Sequence, residues 1–169
     1  PAGQVRTTRE ILETLKCGGG NNHAVRVTGP LDLPPVEGLP IPPYVLGAWL
    51  GDGGSSGGDI TCNDQQILDE IAAHGYGIRK QPSMPLGYGI LGLRRQLRIS
   101  GLLKNKHIPP AYLRGSYAQR LALLQGLMDT DGWSETHGRC GFASMNRGLA
   151  YGVSELLHSF GVKSAVVPS

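Results

Sequence analysis

The chain is poor in charge and in aromatic side chains. Only 17% of its 169 residues are Asp, Glu, Lys or Arg, and 6% are Phe, Trp or Tyr. It has no apolar run of about 18 residues, so no membrane-spanning helix is expected. Nor does the N-terminus carry the apolar core of a secretory signal. Cysteine is scarce: Cys17, Cys62 and Cys140 are odd in number and far apart. They spell neither a C-x-x-C zinc site nor a disulfide framework, and reduced thiols in a cytosolic protein are the expectation. Glycine (26) and proline (12) are plentiful, which predicts many turns, and 40% hydrophobic residues suffice for one domain with a core.

The net charge of +3 conceals an uneven distribution. From Arg79 to Arg120 there are nine Lys and Arg and no Asp or Glu; the rest of the chain holds all 13 acids. Such a stretch is either a footprint for a phosphate backbone or an ordinary solvated surface.

One stretch breaks local rules. Ser116-Tyr117-Ala118-Gln119 has the S-x-x-Q form of a capping box and predicts a helix starting after Ser116. Leu121, Leu124, Leu127 and Met128 then recur at helical spacing, and Gly132 is placed to stop the helix. Yet Gly126 lies inside it, at a cost of about 1 kcal/mol relative to Ala. Asp129 and Asp131 sit at its negative end, where an acid is unfavourable by about 0.3–1 kcal/mol. The same oddity occurs 79 residues earlier. Val45-Leu46-Gly47-Ala48-Trp49-Leu50-Gly51-Asp52-Gly53 aligns without a gap, Gly47 on Gly126 and Asp52 on Asp131. Gly47 and Gly51 share one helix face, as do Gly126 and Thr130. Two such helices are expected to pack face to face and bring Asp52 and Asp131 together. Carboxylates beside the free carbonyls of a helix end suit a hard divalent cation.

These stretches, LGAWLGDG and LLQGLMDTDG, resemble the two copies of the LAGLIDADG motif of homing endonucleases. The flanks Leu39-Pro40-Ile41-Pro42-Pro43-Tyr44 and Lys106-His107-Ile108-Pro109-Pro110-Ala111-Tyr112-Leu113 are similar to those of intein-encoded endonucleases, especially in bacterial replicative helicases. The resemblance implies an α+β fold of the duplicated αββαββα type with two pseudo-symmetric halves. On that basis residues 1–40 are an N-terminal extension or linker, 41–115 the first half and 116–169 the second. A further strand and helices would follow in the family, so the second half is expected to be truncated. The implied activity is site-specific, double-strand cleavage of DNA at an intein insertion site. The implied cofactor is Mg²⁺, with Mn²⁺ as a substitute. The implied partner is a long asymmetric duplex bound by a monomer in the bacterial cytoplasm, near the nucleoid.

In chain order, Thr8–Leu15 reads as a short amphipathic helix capped by Thr7 or Thr8, and Gly18–Asn22 as a turn. His23–Thr28 alternates like a strand. Pro30–Pro43, with six prolines, reads as an extended connection. After Asp52 and a glycine-rich turn come a strand at Asp59–Cys62 and a helix capped by Asn63 or Asp64, burying Ile67, Leu68, Ile71 and Ala72. Strands at Tyr76–Lys80 and Tyr88–Leu91 and a basic helix near 92–103 complete this half. The second half repeats the order. Gly132–Thr136 follows the helix and leads to a turn at His137-Gly138, Cys140–Ser144 reads as a strand, Asn146 caps a helix ending at Gly161, and Val162–Val167 reads as the next strand.

In-line cleavage of a phosphodiester needs charge stabilisation on the attacking and leaving oxygens, which carboxylate-held divalent ions supply. Asp52 and Asp131 are the candidate catalytic acids and metal ligands, with the carbonyls of Gly51 and Thr130 as further ligands. Lys80 and Lys163, with Gln81, are candidates for a basic or polar catalytic residue by position only. Asp129 matches a motif acid that supports the helix in the family, and it is not assigned to metal. Candidates for DNA contact are Arg79, Lys80, Arg94, Arg95, Arg98 and Arg139, with Thr61. A competing reading is a binding module of the same fold, inactive or similar to an RNA maturase. Self-splicing is not expected, because no Cys or Ser opens the chain and no His-Asn closes it.

Overall fold

A computed structural model describes residues 3–168 of the chain. Thr7 accepts a hydrogen bond from the Glu10 amide, and the Glu10 carboxylate accepts one from the Thr7 amide. This reciprocal cap opens α1 (Thr8–Glu13). The expected glycine turn joins two short strands, β1 (Lys16–Cys17) and β2 (Gly20–Asn21). The strand expected over His23–Thr28 is absent. Its alternation leaves Val25 and Val27 exposed, and no neighbouring segment offers it a ladder. Alternation specifies a strand only where a partner and a core face exist.

The proline-rich run is extended, but it is no loose tether. The Leu31 amide donates to Ser159 O (2.9 Å), and the Gln119 side chain bonds both the amide and the carbonyl of Val36 (2.9 and 2.8 Å). Tyr112 Oη donates to Ile41 O at 2.7 Å. Arg120 is fully buried without an acid; its guanidinium donates instead to the carbonyls of Gly115, Ser159 and Leu31. These bonds offset the desolvation of the charge and tie the extended run to the second half of the chain.

α2 (Pro43–Asp52) begins on proline and is buried from Tyr44 to Leu50. Next come β3 (Asp59–Thr61), α3 (Gln65–Ala73), β4 (Ile78–Lys80) and β5 (Gly87–Ile90). Asp64 caps α3, whose Ile67, Leu68 and Ile71 are buried; Ala72 faces outward. The three strands form an antiparallel sheet in the order β3-β5-β4. Ile60 opposes Tyr88 and Ile78 opposes Ile90, which fixes one face toward the core. Asp59, Thr61, Arg79 and Gly89 therefore share the open face.

α4 (Leu93–Ile99) is shorter than expected, yet Leu93, Leu97 and Leu102 are all fully buried. After α5 (Pro110–Leu113), Ser116 and Gln119 form the capping box that starts α6 (Tyr117–Asp131). Directly behind it are β6 (Gly132–Ser134) and β7 (Cys140–Phe142), an antiparallel pair, then α7 (Arg147–His158) capped by Asn146. Val162–Val167 is not a strand. The Val162 amide bonds Leu157 O at 3.1 Å, and Ser164 Oγ meets Ser154 Oγ at 2.7 Å, so the segment runs back along α7. Helices and antiparallel strands in separate stretches make the fold α+β.

The core is built on the contact of α2 with α6. A Cβ on Gly126 would lie 2.7 Å from Ala48 N and closer still to Tyr44 O. One on Gly47 would lie 2.9 Å from Leu127 N and closer still to Leu123 O. The two backbones touch here, which only glycine allows. Farther along, Gly51 faces Thr130, the other small-residue pair read from the sequence.

Candidate metal centre

α2 and α6 end on Asp52 and Asp131, and glycine-to-backbone packing sets both ends side by side. Both carboxylates are half-buried. Burial, then the charge of Asp131, pushes the Asp52 carboxyl above the ordinary carboxylate range, while Lys106 opposes the shift. Asp131 is pushed up by burial and again opposed by Lys106. Two acids with raised affinity for a proton gain from any nearby positive charge.

That charge comes from a residue to which the sequence reading gave no role. Lys106 lies on the connection from α4 to α5. Its ammonium donates to Gly51 O (2.9 Å) and Leu50 O (3.1 Å), two carbonyls in the last turn of α2, and stands 5.0 Å from the Trp49 ring. Burial lowers its pKa, and Asp131, Asp52 and Asp59 oppose that shift. Two backbone anchors hold the segment. The Lys104 amide donates to Ser55 O at 2.6 Å, and the Asn146 side chain donates to Lys106 O at 2.6 Å. The signal in the sequence was the Lys106-x-Ile108-Pro109-Pro110 flank. Its Ile-Pro-Pro repeats Ile41-Pro42-Pro43, but only the second copy carries a lysine.

The donors at the two helix ends are all oxygen: two carboxylates and the carbonyls around them. Among the described residues no three or more His, Cys, Asp or Glu cluster in a metal-binding group. An oxygen-only set with two acids fits Mg²⁺, which keeps several of its waters, and does not fit zinc. Gly51 O, expected as a further ligand, is instead taken by the Lys106 ammonium at 2.9 Å. Thr130 Oγ1 is committed to the helix, donating to Gly126 O and Leu127 O at 3.0 Å each.

The other candidates are placed as follows. Lys80 is on the core-side face of β4, bonded to Pro85 O with its ammonium 4.1 Å from the Tyr88 ring centroid. Lys163 is exposed beyond α7, and neither lysine is brought to the acids. Arg79 points to the open face of its sheet, opposite to Lys80, because neighbouring strand residues alternate. Arg94, Arg95 and Arg98 are exposed on α4, and Arg139 is exposed before β7. Asp129 accepts a hydrogen bond from Tyr44 Oη at 2.9 Å, joining α6 to α2.

Residues 118–169 match the family model described as a LAGLIDADG-like domain. Over 162 residues the chain is 45% identical to the replicative DNA helicase DnaB of Mycobacterium intracellulare. The match covers 94% of this chain and 26% of that protein, so the chain spans about a quarter of its relative's length.

Proposed function

We propose that the chain is the homing-endonuclease unit of an intein in a replicative helicase. It binds duplex DNA and breaks both strands, using Mg²⁺ or Mn²⁺. The observation that carries this reading is the convergence of Asp52 and Asp131 from two helices whose backbones touch. The match to a helicase over almost the whole chain supports the intein setting.

Asp52 and Asp131, with the carbonyl of Thr130, would hold the metal, while Gly51 O accepts the Lys106 ammonium. A divalent ion there would supply Lewis-acid stabilisation of the attacking and leaving oxygens of a phosphodiester. Each acid would serve one DNA strand by holding the ion beside its scissile phosphate. Lys106, fixed on the α2 carbonyls, holds positive charge toward the scissile phosphate. Arg79 on the open face of the first sheet, with Arg94, Arg95 and Arg98 on α4 and Arg139 on the β6–β7 hairpin, neutralises the DNA backbone, and Thr61 beside Arg79 supplies a neutral hydrogen-bonding group.

The chain is read as two copies of one unit. Gly53, just after α2, bridges to Ile60, and Gly132, just after α6, pairs with Phe142. The helices that follow are capped by Asp64 and Asn146. One chain thus supplies both acids, and a monomer completes the site.

The test is a supercoiled plasmid bearing the uninterrupted helicase-gene junction, incubated with the chain. Linear product with Mg²⁺ and none with EDTA is expected; plasmid left intact in both overturns the proposal. Lys106→Met should lower the cleavage rate at least about tenfold while binding persists. Single-turnover rates check this, and an unchanged rate would remove Lys106 from the reaction.

A further inference from the structure

We propose that Trp133 is a DNA-contact residue, stacking on a nucleotide beside the Asp131 end of the site. This rests on the endonuclease reading above. The chain has two tryptophans. Trp49 is fully buried and donates its indole N–H to Gly57 O at 3.0 Å. Trp133 is 48% exposed, two residues after Asp131.

Its exposure has a built geometry. In the β6–β7 pair Gly132 opposes Phe142, which packs on the core, so Trp133 and its partner Gly141 lie on the other face. The six-membered ring of the indole packs against Gly141, where a Cβ would lie 2.7 Å from ring Cη2 and closer still to Cζ2 and Cε2. Glycine there gives the ring a seat, and the side chain stays half exposed. Two residues of strand span about 6–7 Å, so a DNA strand lying at Asp131 passes this ring. Arg139 lies on the same hairpin and can neutralise a phosphate.

The first half has nothing comparable. At the matching place after α2, Gly54 donates its amide to Asp59 O, and no side chain projects. The aromatic contact is therefore one-sided. Stacking tolerates any base but favours a step that opens easily, so Trp133 biases the enzyme toward a flexible pyrimidine–purine step on that side.

The test uses the full chain and a short duplex of the helicase-gene junction in EDTA, with binding followed independently by gel shift. Binding should quench the exposed tryptophan emission and shield it from acrylamide; Trp133→Phe supplies the Trp49 baseline. Trp133→Ala should weaken binding about tenfold or more, and Trp133→Phe much less. Gly141→Val, which unseats the ring without removing it, should weaken binding as well. Circular dichroism melts establish that each variant is folded. Duplex bound with unchanged emission and acrylamide access, or bound by folded Trp133→Ala as by wild type, overturns this inference and leaves the endonuclease reading standing. No gel shift by the wild-type chain overturns both.

Discussion

Asp131→Asn, and equally Asp52→Asn, should lower metal-dependent DNA cleavage by about 10³-fold or more while leaving the fold intact. Each change keeps the size of the side chain and removes the charge that would hold the ion. The stability side has a definite sign. Burial raises both carboxyls above their ordinary range, so each group favours the folded state most when protonated. That contribution is present below the unfolded pKa and is lost as pH rises through the folded one. Above its folded pKa each charged acid is unfavourable to the fold, so at neutral pH the Asn variants should melt no lower than wild type. The difference should shrink as pH falls toward about 4, the ordinary carboxylate range. Melts at both pH values, beside cleavage rates, check this. A variant that melts far below wild type would mean that its lost activity reports unfolding instead of lost charge.

Gly126→Ala should destabilise the chain by about 3 kcal/mol, against the rule that alanine strengthens a helix by about 1 kcal/mol. The added methyl would meet backbone atoms of Tyr44 and Ala48, which have no rotamer to yield. The helices must separate, and with them Asp52 and Asp131, so activity should fall as well. Gly47→Ala carries the same expectation from the other side. Gly152→Ala in α7 is the control. The nearest atoms its Cβ would meet are Ile108 side-chain atoms at 3.4–3.6 Å, ordinary contact distances, so it should be neutral or mildly stabilising. Denaturant unfolding of the three variants settles the order. Gly126→Ala as stable as wild type would contradict the close backbone packing.

The helix pair was legible in the sequence because its logic is local. A glycine in a helix, an acid at its end and a second gap-free copy need no tertiary information. Capping residues did the same for α1, α3, α6 and α7. What the sequence withheld depends on partners. Lys106 reaches Gly51 from a connection 55 residues away, and no spacing rule records that contact. His23–Thr28 and Val162–Val167 have strand-like residues but no ladder. Arg79 and Lys80 are adjacent in sequence yet lie on opposite faces, because the register of Ile78 on Ile90 decides which way each points.

The central claim is that Asp52 and Asp131 form one divalent-metal site, and affinity cleavage tests it most directly. Fe²⁺ replaces Mg²⁺ in an oxygen-ligand site, and with ascorbate and peroxide it cuts the polypeptide nearest to where it is bound. The expected result is two cuts, one at the end of α2 and one at the end of α6. Excess Mg²⁺ should suppress both, and either Asp52→Asn or Asp131→Asn should abolish both. Cutting at only one helix end, or a pattern that survives both substitutions, would contradict a shared site.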